Sequence, residues 1–235
     1  MLEAESSGGA PTYRVASTLV AMSECCNPSG YRQFFNQKEA QKSLRAYERK
    51  GIDGMSRALI DYMTSRGMEG RSVLEAGGGI GAVQIELLRA GASGAVNVEL
   101  SAGYESIARE VLERDGLTER VQRRIGDFTE LAEDLEADDV VMNRVICCYP
   151  FMERLMNAAM SSSRRFVGAV FPRDHLGSRF MVAIGNTYCR IRSVDFRSFI
   201  HSPEEIVETA ERGGFDVAFR DRDFIWNAAV FERRA

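Results

Sequence analysis

The stretch SVLEAGGGIGAVQIELLRAG, residues 72–91, decides the fold that we expect for this chain of 235 residues. Ser72–Ala76 has the apolar character of a buried strand, and Ile80–Ala90 has the spacing of a helix. Four of the five residues at positions 77–81 are glycine, so the backbone can turn sharply and a ligand can approach it without meeting Cβ atoms. The helix after the turn offers free N–H groups at its positive end. The stretch therefore predicts a strand, a ligand-binding loop and a helix.

The alternation of strands and helices continues towards the C-terminus. Short connections between alternating elements predict a parallel sheet that is covered by helices on both faces. Only a short turn joins the last two predicted strands, which must therefore be antiparallel. We expect an α/β fold with a Rossmann-like, seven-stranded, mostly parallel sheet and an antiparallel C-terminal hairpin. The predicted strands are Ser72–Ala76, Ala95–Leu100, Val121–Ile125, Asp139–Ile146, Phe166–Phe171, Asp216–Asp221 and Phe224–Phe231.

The chain divides into three predicted regions. Residues 1–28 are rich in Ser, Gly, Ala and Pro and are expected to form a flexible tail. Residues 29–68 have helical spacing and precede the first strand, so we expect them to form an N-terminal helical lid. Residues 69–235 form the predicted ligand-binding domain.

Composition and charge indicate an ordinary globular protein without a nucleic-acid or membrane partner. The net charge of −4 and the lack of a basic cluster give no support to nucleic-acid binding. No apolar run approaches the roughly 18 residues of a membrane-spanning helix, so we expect no membrane partner. The N-terminal sequence lacks the features of a signal peptide, and the five cysteines do not form a disulfide framework, so we expect a cytoplasmic protein with reduced thiols. The sequence predicts no metal site and leaves a homodimer open.

The glycine loop fits more than one nucleotide ligand. Residues 77–82, GGGIGA, satisfy the dinucleotide fingerprint G-x-G-x-x-G/A, so NAD is one alternative. Glu75 lies two residues before the first glycine, where its carboxylate would repel a pyrophosphate but could accept hydrogen bonds from a cationic ligand or from loop amides. A Tyr-x-x-x-Lys pair is missing, since lysine occurs only at positions 38, 42 and 50. These features weigh against NAD.

Residues 75–81 also match the pattern E-x-G-x-G-x-G, and through it the chain resembles the class I S-adenosylmethionine-dependent methyltransferases. The resemblance continues at Glu99, which ends a predicted strand, and at Asp127 and Phe128 in the sequence GDF. It implies that Glu99 accepts hydrogen bonds from ribose hydroxyls, that Asp127 contacts the adenine amino group, and that Phe128 packs on the adenine ring. The cofactor-binding residues that it implies are Glu75, Ala76, Gly77, Gly79, Gly81, Glu99, Leu100, Asp127, Phe128 and Asn143.

Within this superfamily, the chain is loosely similar to bacterial magnesium-protoporphyrin O-methyltransferase-like proteins. The similarity rests on FFNQKEAQKSLRAYERKG, residues 34–51, and on NRVICCYP, residues 143–150. The chlorophyll-pathway enzymes carry an aspartate-rich strand end followed by HYP, whereas this chain has Cys147-Cys148-Tyr149-Pro150. Because of this difference, the resemblance implies a methyltransferase domain over residues 69–235 but not a porphyrin substrate.

His201 and Tyr149 are the candidate catalytic residues. His201 lies in a loop on the ligand side of the predicted sheet, where it could act as a general base or only support the following helix. Tyr149 lies beside the methyl position in the superfamily plan, where it could orient the acceptor or only end its strand. A base is needed if the acceptor holds its proton tightly, as an alcohol does, but a carboxylate or thiolate arrives deprotonated.

The lid and the strand ends supply the candidate substrate-binding residues. Aromatic side chains in the lid could cover a planar or apolar acceptor, or alternatively pack on the sheet edge. Arginines after two strand ends could pair with an anionic substrate, or alternatively with Asp127 or Asp174. The predicted substrate-binding residues are Tyr31, Phe34, Phe35, Arg144, Cys148 and Arg173.

The sequence therefore predicts an enzyme that transfers a methyl group from S-adenosylmethionine to a small-molecule acceptor and releases S-adenosylhomocysteine. O-methylation of an aromatic or carboxylate-bearing metabolite is the expected reaction. One alternative is an NAD(P)-dependent oxidoreductase that uses the same loop, and another is a module that binds S-adenosylmethionine without catalysis. A third is metalloid or thiol methylation, in which the pairs Cys25-Cys26 and Cys147-Cys148 would bind a soft element.

Overall fold

The computed structural model describes residues 28–52 and 54–235, and a seven-stranded sheet forms its centre. The strands are β1 (Ser72–Ala76), β2 (Gly94–Glu99), β3 (Val121–Ile125), β4 (Ala137–Asn143), β5 (Ser163–Pro172), β6 (Phe215–Arg222) and β7 (Trp226–Arg233). Their order is β3-β2-β1-β4-β5-β7-β6, and only the pairs that involve β7 are antiparallel. The predicted α/β class, with a mostly parallel sheet and an antiparallel C-terminal pair, is confirmed. The predicted tail, with Cys25 and Cys26, lies outside the described residues apart from Pro28.

Helices pack on both faces of the sheet and over one end of it. On one face α3 (Gly54–Ser65) and α4 (Ala82–Arg89) contact the sheet. On the other face α7 (Met152–Ser161) and α9 (Pro203–Arg212) do so. The short helix α1 and the longer α2 lie beside the carboxyl ends of the strands. The helices are α1 (Pro28–Phe34), α2 (Gln37–Lys50), α3 (Gly54–Ser65), α4 (Ala82–Arg89), α5 (Glu105–Arg114), α6 (Phe128–Leu131), α7 (Met152–Ser161), α8 (Leu176–Ile191) and α9 (Pro203–Arg212).

Strand β4 shows why the sheet needs helices on both sides. Val140 and Met142 are fully buried in the apolar cluster that includes α7 and α9, whereas Val141 is fully buried in the cluster that includes α3 and α4. Successive side chains of a strand point to opposite faces, so a strand that is apolar at every position requires cover on each face.

The strand order creates a crevice beside the glycine loop. From β1 the chain continues to β2 and β3 on one side, and it then returns to β4 on the other side of β1. Open α/β sheets bind ligands at such a reversal, outside the carboxyl ends of the strands. The loop that follows β1 lies at this point.

Some element boundaries follow from local sequence signals, and others differ from the predicted ones. Helix α9 begins at a capped N-terminus, since Ser202 Oγ accepts a hydrogen bond from Glu205 N at 3.3 Å and Pro203 is the first helical residue. The strand expected to continue to Ile146 ends at Asn143, because Arg144 adopts a positive φ of 62° and the chain then forms a 3-10 turn. The sequence does not delimit α8, whose N-cap is the unusual residue His175.

Candidate active site

A cavity of about 450 Å³ opens at the carboxyl ends of β1, β2 and β4. Its walls are the glycine loop, the residues that follow β2, β3 and β4, and one face of α2. Most of the predicted site residues line this cavity: Tyr31, Phe35, Gly77, Gly79, Glu99, Leu100, Asp127, Phe128, Asn143, Arg144, Cys148 and Tyr149. Six predicted residues do not line it: Phe34, Glu75, Ala76, Gly81, Arg173 and His201.

The glycine loop passes too close to its neighbours to carry side chains. Gly77 has a φ of +62°, and a Cβ atom on it would lie 2.7 Å from Val145 Cγ2. A Cβ atom on Gly78 would lie 2.1 Å from Asn97 Nδ2. Both contacts are shorter than real Cβ contacts, and the positive φ disfavours any L-residue. The loop therefore presents main-chain atoms to the cavity.

Glu75 supports the loop from below and does not reach the cavity. Its Oε2 accepts hydrogen bonds from Gln84 N at 3.2 Å, in the first turn of α4, and from Asn97 Nδ2 at 3.4 Å. The side chain is buried, and burial raises the pKa of Glu75 to about 8. Of the two roles that the sequence left open for this carboxylate, the geometry matches the bonding of a main-chain amide.

Glu99 ends β2 at the cavity wall. Its Oε2 accepts a hydrogen bond from Gly79 N at 2.8 Å, and its Oε1 accepts one from Ser101 N at 2.8 Å. Burial raises the pKa of Glu99, while these main-chain hydrogen bonds favour its ionised form. A carboxylate has about four acceptor positions, so the two bonds leave capacity for hydroxyl groups of a ligand. The chain thus fixes the orientation of this acid.

Arg123 is a buried cation that sequence reasoning missed. It lies on β3, where its Nη2 donates to the Gly79 carbonyl at 3.1 Å and its Nε donates to Glu105 Oε2 at 2.9 Å. Its positive charge lowers the pKa of both Glu75 and Glu99, against the larger effect of burial. No sequence signal indicates it, because arginine at a strand position is normally exposed.

Asp127 and Tyr149 are joined across the adenine side of the predicted site. Asp127 caps α6, since its Oδ1 accepts a hydrogen bond from Thr129 N at 2.8 Å. Tyr149 donates its hydroxyl proton to Asp127 Oδ2 at 3.2 Å, and that hydroxyl is also 2.9 Å from Thr129 Oγ1. Phe128, which follows directly, is buried and lines the cavity. Asp127 therefore caps a helix and also lies on the cavity wall.

The end of β4 faces the lid. Asn143 Oδ1 accepts a hydrogen bond from Ser56 Oγ at 2.8 Å, which ties β4 to α3. The guanidinium group of Arg144 lies 4.8 Å from the ring centroid of Trp226, a cation–π distance. Arg144 therefore lines the cavity while its charged group packs on an aromatic ring. Asp174, one of the two carboxylates considered as a partner for this arginine, pairs with Arg179 at 2.6 Å.

Cys147 and Cys148 lie side by side in the 3-10 turn after β4. Their sulfur atoms are 3.8 Å apart, and the Cys148 side chain lines the cavity whereas Cys147 is buried behind it. The hydrogen bond from Cys148 lowers the pKa of the Cys147 thiol, and the same bond together with burial raises that of Cys148. In the described residues no group of three or more His, Cys, Asp or Glu side chains could hold a metal ion.

One face of α2 covers the glycine loop with residues that the sequence analysis did not select. Ser43, Tyr47 and Lys50 recur at helical spacing and line the cavity. Tyr47 donates its hydroxyl proton to Glu86 Oε1 at 2.8 Å, which holds α2 against α4. The apolar and polar pattern of α2 could have indicated this face, but it did not show which element the face would cover.

The aromatic cluster of the predicted lid is present and includes a further ring from a distant loop. Phe196, which follows α8, stacks on Phe34 with ring centroids 4.4 Å apart and meets Tyr31 edge-on at 5.4 Å. Phe35 joins the cluster at 5.2 Å from Phe196. Tyr31 and Phe35 face the cavity, and Phe34 lies behind them. No sequence signal connects residue 196 with α1.

His201 and Arg173 lie outside the cavity wall. His201 Nε2 is 2.8 Å from the Tyr149 carbonyl oxygen, so this nitrogen carries a proton and donates it to the main chain. Arg173 Nη1 donates to the Asp223 carbonyl at 2.9 Å. Both side chains stabilise loops at the edge of the site.

Comparisons with known proteins give matches among solved structures alone. No protein-family model matches the chain, and no curated protein matches it. The structure of magnesium protoporphyrin IX methyltransferase (ChlM) from Synechocystis PCC 6803 with bound SAH matches with a TM-score of 0.70 and 19% identity, covering 88% of this chain and 100% of that chain. An O-methyltransferase family protein from Burkholderia thailandensis matches with a TM-score of 0.63 and 16% identity, covering 86% and 64%.

The chain has the fold of the class I S-adenosylmethionine-dependent methyltransferases. The pyocyanin biosynthetic protein PhzM also matches, with a TM-score of 0.56 and 19% identity, covering 85% of this chain and 62% of that chain. The resemblance that the glycine motif indicated is thus confirmed at the level of the fold. Among the described residues, no helix has the length and apolar character needed to cross a bilayer.

Proposed function

We propose that this chain is an S-adenosylmethionine-dependent methyltransferase that acts on a small-molecule acceptor. The observation that carries the proposal is the junction of Gly79 and Glu99. A loop without side chains and a fixed acid meet there on one cavity wall, where a nucleoside could lie against the main chain and give its ribose hydroxyls to the carboxylate. Bound SAH in the similar ChlM structure supports this ligand.

The residues present fit the cofactor along the length of the cavity. Glu99 would hold the ribose, Asp127 and Phe128 the adenine, and the Gly77 main chain the amino-acid portion. A Cβ atom on Gly77 would lie 2.7 Å from Val145 Cγ2, and both residues line the cavity, so only glycine keeps the backbone in this place. When bound, S-adenosylmethionine supplies an activated methyl group on a sulfonium centre.

The acceptor side of the cavity supports an anionic acceptor. Lys50 and Arg144 both line it, and within the described residues no histidine lines it. A general base of near-neutral pKa is therefore missing from the described cavity wall, so an acceptor that is already ionised fits best. We propose O-methylation of a carboxylate on a molecule with an aromatic or apolar body, which Tyr31 and Phe35 would cover. The lid residues would exclude water from the transfer.

Tyr149 and His201 receive different roles in this proposal. Tyr149 positions Asp127 through its hydroxyl hydrogen bond, and His201 positions Tyr149 by holding its carbonyl oxygen. Neither side chain is required to remove a proton from the acceptor.

A second candidate is methylation of a thiol or a thiol-bound metalloid. The 3.8 Å separation of the Cys147 and Cys148 sulfur atoms favours it, because two adjacent thiols can bind one soft element. Transfer of labelled methyl groups from S-adenosylmethionine to sodium arsenite, tested with the parent and with Cys148→Ser, would separate this candidate from carboxylate methylation.

Calorimetry on the pure protein tests the proposed function. We expect heat of binding with S-adenosylhomocysteine and none with NAD+ or NADH. Binding of the nicotinamide dinucleotides alone would contradict the proposal and would favour an oxidoreductase. Labelled methyl transfer into a set of aromatic and aliphatic carboxylic acids then tests catalysis, and binding without transfer to any metabolite extract would favour a non-catalytic module.

A further inference from the structure

Helix α8 exposes an unusual amount of apolar surface. Single exposed apolar residues are ordinary on a protein surface, but contiguous ones mark interaction sites. Six large apolar side chains of this one helix are more than half exposed: Leu176 at 86%, Phe180 at 67%, Met181 at 51%, Ile184 at 54%, Tyr188 at 59% and Ile191 at 76%. We call these six residues the α8 stripe.

The stripe occupies one side of a helix whose opposite side is already packed. At about 100° per residue, its six members fall within an arc of roughly 140°. Ser178 and Cys189 lie on the opposite side and are buried against the rest of the protein. The stripe therefore faces away from the body of the molecule, and within residues 28–52 and 54–235 nothing covers it.

The helix is held at both ends, so the stripe is a fixed surface. At the N-terminal end, the ring of His175 accepts a hydrogen bond from Gly177 N at 3.1 Å. Towards the C-terminal end, Asn186 makes two hydrogen bonds with the main chain of Ser198, at 2.8 and 2.9 Å. Phe224, which is 76% exposed, lies against His175 and extends the apolar surface beyond the start of the helix.

The charges around the stripe are predominantly positive. The segment 173–197 contains five arginines and two aspartates, although the whole chain has a net charge of −4. Helix α8 itself contains no acidic residue. Of its arginines, Arg179 pairs with Asp174, whereas no described acidic group lies against Arg190 or the following Arg192.

An apolar stripe with arginines beside it fits an anionic lipid surface better than a second copy of the chain. A second α8 helix would offer no acidic side chain to Arg190 and Arg192, since the helix contains none. A lipid surface accepts the apolar side chains among its acyl chains and the arginines at its headgroups. The helix of 16 residues, about 24 Å long, would lie in the plane of such a surface.

We propose that α8 docks this protein on the surface of an anionic lipid bilayer through the stripe. The contact is peripheral and needs no membrane-spanning helix. The expectation of no membrane partner followed from the lack of a spanning apolar run, and it took no account of an amphipathic face of this kind. The proposal does not depend on the reaction that the cavity supports.

Vesicle co-sedimentation of the full chain tests the docking proposal. The parent, Phe180→Ser/Ile184→Ser and the control Ile125→Ser are compared on vesicles of phosphatidylcholine and of phosphatidylcholine mixed with phosphatidylglycerol. Ile125 is a matched control because it is 45% exposed on β3, away from α8. We expect the parent and the control to bind the anionic vesicles and the double variant to bind at least ~10-fold more weakly. Arg190→Gln/Arg192→Gln should reduce binding to the anionic vesicles and leave binding to the phosphatidylcholine vesicles unchanged.

Several outcomes would overturn the proposal. One is a parent protein that binds neither kind of vesicle, and another is binding that the double variant leaves unchanged. A parent dimer in size-exclusion chromatography that fails to bind vesicles, and that Phe180→Ser/Ile184→Ser converts to a monomer, would assign the stripe to a second copy. Thermal unfolding checks that the variants are folded, since their substituted side chains are exposed and their midpoints should match that of the parent.

Discussion

The two sides of the cavity differ in how their side chains are held in place. On the loop side, the carboxylates of Glu75 and Glu99 accept hydrogen bonds from main-chain N–H groups, and Arg123 donates to the main chain of the loop itself. On the lid side, Lys50 and Cys148 are brought to the cavity by the packing of α2 and by the turn after β4. In the described structure no carboxylate pairs with Lys50. The loop side is thus held by hydrogen bonds between side chains and the main chain, and the lid side is held by the packing of helices and turns.

This difference separates two tasks. A ligand that lies against the loop side meets groups whose positions are set by short-range hydrogen bonds, so that side suits the invariant nucleoside of a cofactor. Side chains on the lid side can be replaced without disturbing the hydrogen bonds of the loop. This side therefore suits the selection of an acceptor. Substitutions on the loop side should therefore affect cofactor binding more than substitutions on the lid side.

The largest effect that we expect is a dependence of stability on the ionisation of Glu75. Its pKa is raised to about 8 in the folded protein by burial, whereas in the unfolded chain it is near 4.5. Between these values the folded protein retains a proton that the unfolded chain has released, so the free energy of unfolding falls as pH rises. The loss between pH 5 and pH 7 should be about 3 kcal/mol, visible as a lower thermal midpoint.

Glu75→Gln should remove this dependence, because glutamine does not ionise. Its side-chain amide oxygen can still accept the hydrogen bond from Gln84 N. The exposed Glu110→Gln is the control and should retain the parental pH profile. A parental midpoint that rises from pH 5 to pH 7, or an unchanged slope in Glu75→Gln, would show that the carboxyl is not buried as the structure has it.

Gly77→Ala should weaken binding of S-adenosylhomocysteine by about 100-fold. The new Cβ atom would lie 2.7 Å from Val145 Cγ2 at a φ of +62°, so the loop must shift. Gly185→Ala is a matched control, because a Cβ atom there meets nothing within 4 Å and alanine is favoured in a helix interior. Calorimetry measures both, and an unimpaired Gly77→Ala would exclude the loop as the ligand cradle.

Glu99→Gln should weaken binding of S-adenosylhomocysteine by about 30-fold, because an amide offers one acceptor oxygen in place of two charged ones. The adenosine fragment 5′-methylthioadenosine should lose the same factor, since the ribose is common to both ligands. The control Glu110→Gln should bind both ligands like the parent. Equal affinity of the parent and Glu99→Gln would refute the proposed contact with the ribose.

The contrast between the two sides also explains which parts of the site the sequence could predict. The loop, Glu99 and Asp127 lie in short motifs next to strand ends, so local patterns identified them. They all line the cavity, although the motif did not show that Asp127 also caps α6 and bonds to Tyr149. The motif also included Glu75, but its role below the loop required the position of Asn97 on β2.

The lid side could not be predicted because its contacts join distant parts of the chain. Phe196 meets Tyr31 across more than 160 residues, and Ser56 meets Asn143 across 87. Arg173 follows β5 and His201 precedes α9, but their side chains bond to carbonyl groups instead of lining the cavity. Position at the proper edge of a sheet does not determine the direction of a long side chain.

Lys50→Met carries the smallest expected effect and tests the lid side directly. Lys50 lines the cavity, and within the described residues no carboxylate pairs with it, so an anionic part of the ligand is its expected partner. If that part is the carboxylate of the acceptor, as in the proposed function, the variant should raise the KM for a carboxylate substrate and bind S-adenosylhomocysteine like the parent. If it is the α-carboxylate of the cofactor, the variant should bind S-adenosylhomocysteine about 10-fold more weakly but bind 5′-methylthioadenosine, which lacks the amino-acid portion, like the parent. Lys42→Met is the control, since that lysine lies on the same helix, is 76% exposed and pairs with Glu39.

The pattern across the two ligands decides what Lys50 does. A loss for both ligands would mean that the substitution disturbs α2 and through it the whole cavity. Unchanged affinity for both ligands would show that Lys50 does not bind the cofactor. Its charge would then bind the acceptor, and the KM for a carboxylate substrate should rise while the affinity for S-adenosylhomocysteine stays constant. Because Glu99→Gln should weaken both ligands and Lys50→Met at most one, the pair of variants distinguishes a side of the cavity that binds the nucleoside from a side that binds a charged group.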